Sequence, residues 1–165
     1  VGDTSEPAAI YLQLRDAITL VSPIEHGLLP TAELPRVWGT LVDVGLPAGP
    51  VTVVAIADGT TSLYLGNGGA TVGVGELPHI RALAATLLQA VDAAVPILPP
   101  GWEAPPPPAG WVQVVALTYQ GMLVGRATIP EVASGVHPLA EVWARAGEVA
   151  AAITALDPGG VATAG

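Results

Sequence analysis

The chain has 165 residues, a mass of 16.5 kDa, 51% hydrophobic residues and a net charge of −9 at pH 7, with five arginines, no lysine and 14 acidic residues. That apolar content supports one folded domain, residues 1–165, and argues against disorder, while the negative charge opposes phosphate backbones and anionic lipid, so no nucleic acid and no membrane is expected as a partner. The absence of cysteine removes disulfides, thiolate metal sites and cysteine nucleophiles, and fits a cytoplasmic protein.

With aromatics at 4% and no phenylalanine, the core is expected to consist of Val, Leu, Ile and Ala around a few tryptophans. The acidic residues are scattered from Asp3 to Asp157, the pattern of a solvated surface. No apolar run is expected to span a membrane, and the first residues, VGDTSEP, lack the basic-then-apolar layout of a signal peptide.

Pro7 suits the first turn of a helix in which Ile10, Leu14, Ala17, Ile18 and Val21 recur at helical spacing, until Ser22-Pro23 stops it. A proline-containing loop follows, then a strand over RVWGTLVDV, and Leu46–Pro50 connects that strand to a glycine-rich meander. Asp58-Gly59 and Asn67-Gly68 sit between the β-favouring runs VTVVAIA, TTSLYLG and GATVGVG, which predicts three antiparallel strands joined by two-residue turns.

On that register Ile56 opposes Thr61, Val54 opposes Leu63, Leu65 opposes Ala70 and Tyr64 opposes Thr71. Val54, Ile56, Leu63, Leu65, Val72 and Val74 then gather on a core face. Val53, Ala55, Ser62, Tyr64, Thr71, Gly73 and Gly75 form a shallow second face that must be covered by the chain's own helix, by a second subunit or by a ligand. A slip of one residue would exchange the two faces.

After Pro78, Ile80, Leu83, Ala84, Leu87, Leu88, Val91 and Val95 make a continuous helical stripe, with Arg81, Gln89 and Asp92 on the reverse side. Residues 96–110, PILPPGWEAPPPPAG, can be neither helix nor central strand and are expected to form a stiff crossover. Trp102 and Trp111 flank the prolines, where the ordinary role of an indole is core or clamp; an exposed Trp102 would instead be an anchor for a partner.

WVQVVALTY and MLVGRATI flank Gln120-Gly121 as another hairpin, with Val112, Val114, Ala116, Leu123, Ala127 and Ile129 on one face. PEVASGV reads as a loop, Pro138 opens a last helix, Asp157-Pro158-Gly159-Gly160 ends it, and residues 161–165 form a frayed tail. The fold class is therefore α+β, an antiparallel hairpin-connected sheet of about six strands with three helices, in the order α-β-β-β-β-α-β-β-α. The order of elements loosely resembles the roadblock or profilin type of layout, from which the four strands before the middle helix depart; the likeness implies a fold and no function.

Chemistry is sparsely signalled. GNGGATVGVG holds no G-x-G-x-x-G, and without lysine there is no Walker loop, so the hairpin suffices to explain it and no cofactor is expected. His26, His79 and His137 lack metal-ligand spacing, although folding could bring His79 and His137 together beside Glu76 or Glu131; polar residues near helix ends are the simpler reading. Ser134 lacks a nucleophile elbow.

The leading expectation is a non-catalytic interaction or assembly module, associating with itself or with another protein through Tyr64, Thr71, Gly73, Gly75 and Trp102. The alternative is a small-ligand domain or enzyme with a pocket near the meander at 66–76 and the start of the helix at 78, using Tyr64, Asn67, Glu76, His79 and Arg81.

Overall fold

The computed structural model describes residues 6–156. The expected helix stop at Asp157–Gly160 and the tail at 161–165 lie outside the described residues. Helix α1 spans Ala9–Thr19, strands β1 to β4 span Val37–Leu46, Gly49–Ile56, Thr61–Leu65 and Ala70–Thr71, and helix α2 spans Pro78–Ala94. Strands β5 (Trp111–Thr118) and β6 (Gly121–Thr128), a short helix α3 (Ile129–Ala133) and helix α4 (Ala140–Leu156) complete the chain.

All six strands form one antiparallel sheet in the order β4-β3-β2-β1-β5-β6. The α+β class and the hairpin-dominated order agree with the sequence. The extra helix, α3, occupies the stretch expected to be a loop: Thr128 and Glu131 form a reciprocal capping box that satisfies the free donors of its first turn.

Three layers result. Helices α2 and α4 cover one sheet face, burying Val42, Val53, Leu63, Val112 and Val114 against Ile80, Leu87, Val91, Val142 and Val149. The opposite face carries Trp38, Leu41, Val54, Ile56, Tyr64, Val115 and Leu117, closed by Tyr11 of α1 and by Leu28. The β5–β6 hairpin pairs Val112 with Ala127 and Ala116 with Leu123, placing them together as predicted, whereas Ile129 already belongs to α3.

The register of the meander differs by one residue at each turn. Ala55 opposes Thr61, Val53 opposes Leu63, Leu63 opposes Thr71 and Tyr64 opposes Ala70. The turns are three-residue loops: the Ile56 amide donates to Thr60 and the Leu65 amide to Gly69, enclosing Ala57-Asp58-Gly59 and Gly66-Asn67-Gly68. The third loop residue, Gly59 or Gly68, has φ +99°, and the Asp58 or Asn67 side chain accepts the amide two residues on. An Asp-Gly or Asn-Gly pair serves this longer loop as well as the two-residue one, so the dipeptide alone does not settle loop length.

The slip moves Val54 and Ile56 onto the face of Ser62 and Tyr64, and Val53 and Ala55 onto that of Leu63 and Leu65. Both faces thereby become apolar, which a sheet covered on both sides requires. Val72 and Val74 leave the sheet altogether, since β4 ends at Thr71 and residues 74–76 turn as a 3-10 helix.

One more expectation changes. Pro78–Ile97 is long and apolar enough to cross a membrane by composition, at mean hydropathy 1.4, against the expectation that no run would qualify. Its Ile80, Leu87 and Val91 are buried in the core of the domain. Asp92, on the reverse side of the helix stripe, is buried and accepts the backbone amides of Arg36 and Val37, both at 3.0 Å, and the Arg36 side chain. It fastens the start of β1 to α2.

A candidate docking surface built on a buried polar network

The face under α1 is not purely apolar. Asp43, in the middle of β1, lies opposite Thr52 of β2 and Gln113 of β5, so three polar side chains point to the same side at the centre of the sheet. Burying them demands partners. Arg15 on α1 supplies a forked pair to Asp43, Nε at 3.0 Å and Nη2 at 2.6 Å, while the Thr52 hydroxyl donates at 2.6 Å and Gln113 Nε2 at 3.0 Å.

Asp43 thus accepts from four donors, close to the capacity of a carboxylate. Because Thr52 gives its only proton to Asp43, the Tyr11 hydroxyl must be the donor in its 2.6 Å bond to Thr52. Burial, with Asp43 nearby, pushes the Tyr11 phenol up to about 12. Burial opposes charge on Arg15 too, but the hydrogen bonds and charge of Asp43 outweigh it and raise the guanidinium pKa further.

The same groups hold the proline-rich crossover. Arg15 Nη2 donates to the Ala104 carbonyl at 2.8 Å, Gln113 Nε2 to the Pro105 carbonyl at 3.0 Å, and Arg126 Nε to Gln113 Oε1 at 2.7 Å. Upstream, the Gly101 amide donates to Met122 and the Val124 amide to Pro99, laying residues 99–101 along the edge of β6. Downstream, Gly45 meets the Pro108 carbonyl so closely that no β-carbon fits, and the Gly110 amide donates to Gly45.

Trp102 stands between two of these fixings, Gly101 and Ala104, and is 95% exposed. It clamps nothing, contrary to the ordinary reading of its sequence position. The prolines are held instead by hydrogen bonds to their carbonyls, which proline keeps when it loses its amide. Across a groove of about 540 Å³ stands Leu20, 82% exposed, with Met122 on the lining and Asp16 and Glu103 at the rim.

The other expected site residues are dispersed. Glu76, Arg81, Gly73 and Gly75 do line one hollow of about 280 Å³, together with Asp58 and Gly59, and Arg81 donates to the Asp58 carbonyl at 2.9 Å. Gly75 packs against the Gly59 carbonyl with no room for a β-carbon. Asn67 lies at the opposite end of β3 as a turn residue, His79 is exposed on the first turn of α2, and Thr71 is half-buried in β4.

Tyr64, expected on the shallow face, is buried in the cluster that contains Tyr11, and desolvation raises its phenol. That face is therefore covered by the chain's own α1. His137 Nδ1 accepts the Leu139 amide at 3.0 Å, and its Nε2 lies 3.7 Å from Glu131. Among the described residues, no three His, Asp or Glu side chains gather into a metal-binding group.

Sequence reasoning missed Arg15, Asp43, Gln113 and Tyr11. A signal existed: Asp43 and Gln113 are polar residues inside runs of β-branched residues, and Tyr11 and Arg15 share one helix face at i, i+4. Only the pairing of β1 with β5, distant in sequence, shows that these groups converge. Comparisons with protein-family models, with curated proteins and with solved structures find no match.

Proposed function

We propose that the domain is a non-catalytic protein-interaction module whose docking surface is the groove between α1 and the proline-rich crossover. The observation that carries this reading is the 95% exposure of Trp102 on a segment anchored on either side. On a flexible segment the backbone around a tryptophan would also have to be ordered on binding, a cost that an anchored stretch of chain avoids, and tryptophan is a favoured centre of interface energy.

Reactivity finds little support in the same place. The buried carboxylate has its acceptor capacity filled by Arg15, Thr52 and Gln113, which leaves it no lone pair with which to take a substrate proton. The network acts as a mount for the surface above it. Self-association through the Tyr64 face loses its basis, because α1 occupies that face.

The test is selection of peptides from a random display library on the immobilised domain, with Trp102→Ala as the counter-selection. Enrichment of sequences that bind the wild type and not the variant supports the module. Absence of any Trp102-dependent enrichment overturns it.

A further inference from the structure

Resting on that docking surface, the geometry points to a cationic, amphipathic segment of another protein as its occupant, with Lys or Arg side chains over the Trp102 indole and apolar side chains against Leu20 and Met122. Asp16 and Glu103 line the groove, while Arg15, the one cation among its described lining residues, has a side chain only 4% exposed and is neutralised by Asp43; Arg126 lines an adjoining hollow with Trp102 and Glu103. An exposed indole in a groove lined by two carboxylates favours a cation whose hydrocarbon stem can lie on apolar neighbours.

A second copy of this chain is poorly suited to supply that cation. Of the five arginines, Arg15, Arg36 and Arg145 are paired with Asp43, Asp92 and Glu141 together with Glu148. Arg81 and Arg126 keep their charge, but each is tethered, to the Asp58 carbonyl and to Gln113, and Arg126 already lies beside Trp102 and Glu103. Two copies each carrying −9 also repel one another at long range. Nucleic acid and anionic lipid are disfavoured by the same charge, so the complement to this groove is a basic protein segment.

The experiment titrates the intact domain against fluorescently labelled helical peptides about five turns long, one of leucine and lysine, one of leucine and glutamate, one of leucine and serine. The Leu/Lys peptide is expected to bind at least ~10-fold more tightly than the Leu/Ser peptide, and the Leu/Glu peptide least well. Trp102→Ala should weaken Leu/Lys binding ~10-fold and Trp102→Leu less. Asp16→Asn with Glu103→Gln should weaken it ~3-fold and flatten its salt dependence.

Equal, Trp102-dependent binding of the Leu/Lys and Leu/Ser peptides would keep the module and overturn the cationic partner. Unchanged Leu/Lys binding by Trp102→Ala would reduce the effect to general attraction by an acidic protein and overturn it as well. A Trp102-dependent dimer by light scattering, with no peptide bound, would make the occupant a second copy. No Trp102-dependent association of any kind would overturn both readings.

Discussion

Removing Arg15 tests whether the polar network holds α1 and the crossover in place. Arg15→Met keeps most of the aliphatic stem but deletes the guanidinium, leaving Asp43, 0% exposed, with only Thr52 and Gln113 as donors and the Ala104 carbonyl without its 2.8 Å partner. Breaking a buried pair from one side costs about 3–5 kcal/mol, because the surviving charge stays buried. For a domain of this size that lowers the melting temperature by about 10 °C. Asp43→Leu alone should cost a similar amount by stranding Arg15.

The double variant, Arg15→Met with Asp43→Leu, removes both charges and should be less destabilised than the two singles added, by about 2 kcal/mol or more. Urea unfolding followed by circular dichroism measures all four proteins, and hydrogen exchange should show α1 amides losing protection before those of α2. Additive single effects, or a cost below about 1 kcal/mol for Arg15→Met, would refute the idea that this pair fastens the layer.

Alkali should expose Tyr11. Its phenol sits at about 12 in the folded chain against 10.0 ordinarily, so the associated stability is fully present below pH 10 and is lost as pH rises through 12. Tyr11→Phe should cost about 1 kcal/mol at pH 8, where it deletes the bond to Thr52, and the difference should shift by about 2 kcal/mol in favour of Phe as the pH approaches 12, reversing its sign, read from urea midpoints at both ends. Gly45→Ala should destabilise by about 1–3 kcal/mol in the same assay, since the added methyl meets the backbone of Pro108. Trp102→Ala, by contrast, should leave the urea midpoint within about 0.5 kcal/mol of wild type while weakening peptide binding, a split that a structural tryptophan would not give. Thr128→Ala should cost about 1 kcal/mol by uncapping α3.

The regular elements were legible because their signals are local. The stripe from Ile80 to Val91 repeats at helical spacing, and Val112, Val114 and Ala116 alternate, whatever lies across from them. Helix α1 was legible in position and partly in orientation: Leu14, Ile18 and Val21 of the expected stripe pack on the core, but Ile10 is 48% exposed, whereas Tyr11 and Arg15 are buried. A hydrophobicity pattern assigns Arg15 to solvent, and only a buried acid opposite it reverses that assignment.

Composition, strand and helix order, the hairpins and the absence of a local catalytic motif were all determined by residues close together in sequence. Tertiary structure decided what depends on distant partners: the meander register, which a third loop residue shifts; the burial of Asp43 and Asp92, whose donors come from other elements; and the exposure of Trp102. Tryptophan in a proline-rich segment packs inward or outward according to which surface the segment crosses. Here the surface is set by carbonyl contacts to Arg15 and Gln113, side chains 89 and 8 residues away along the chain.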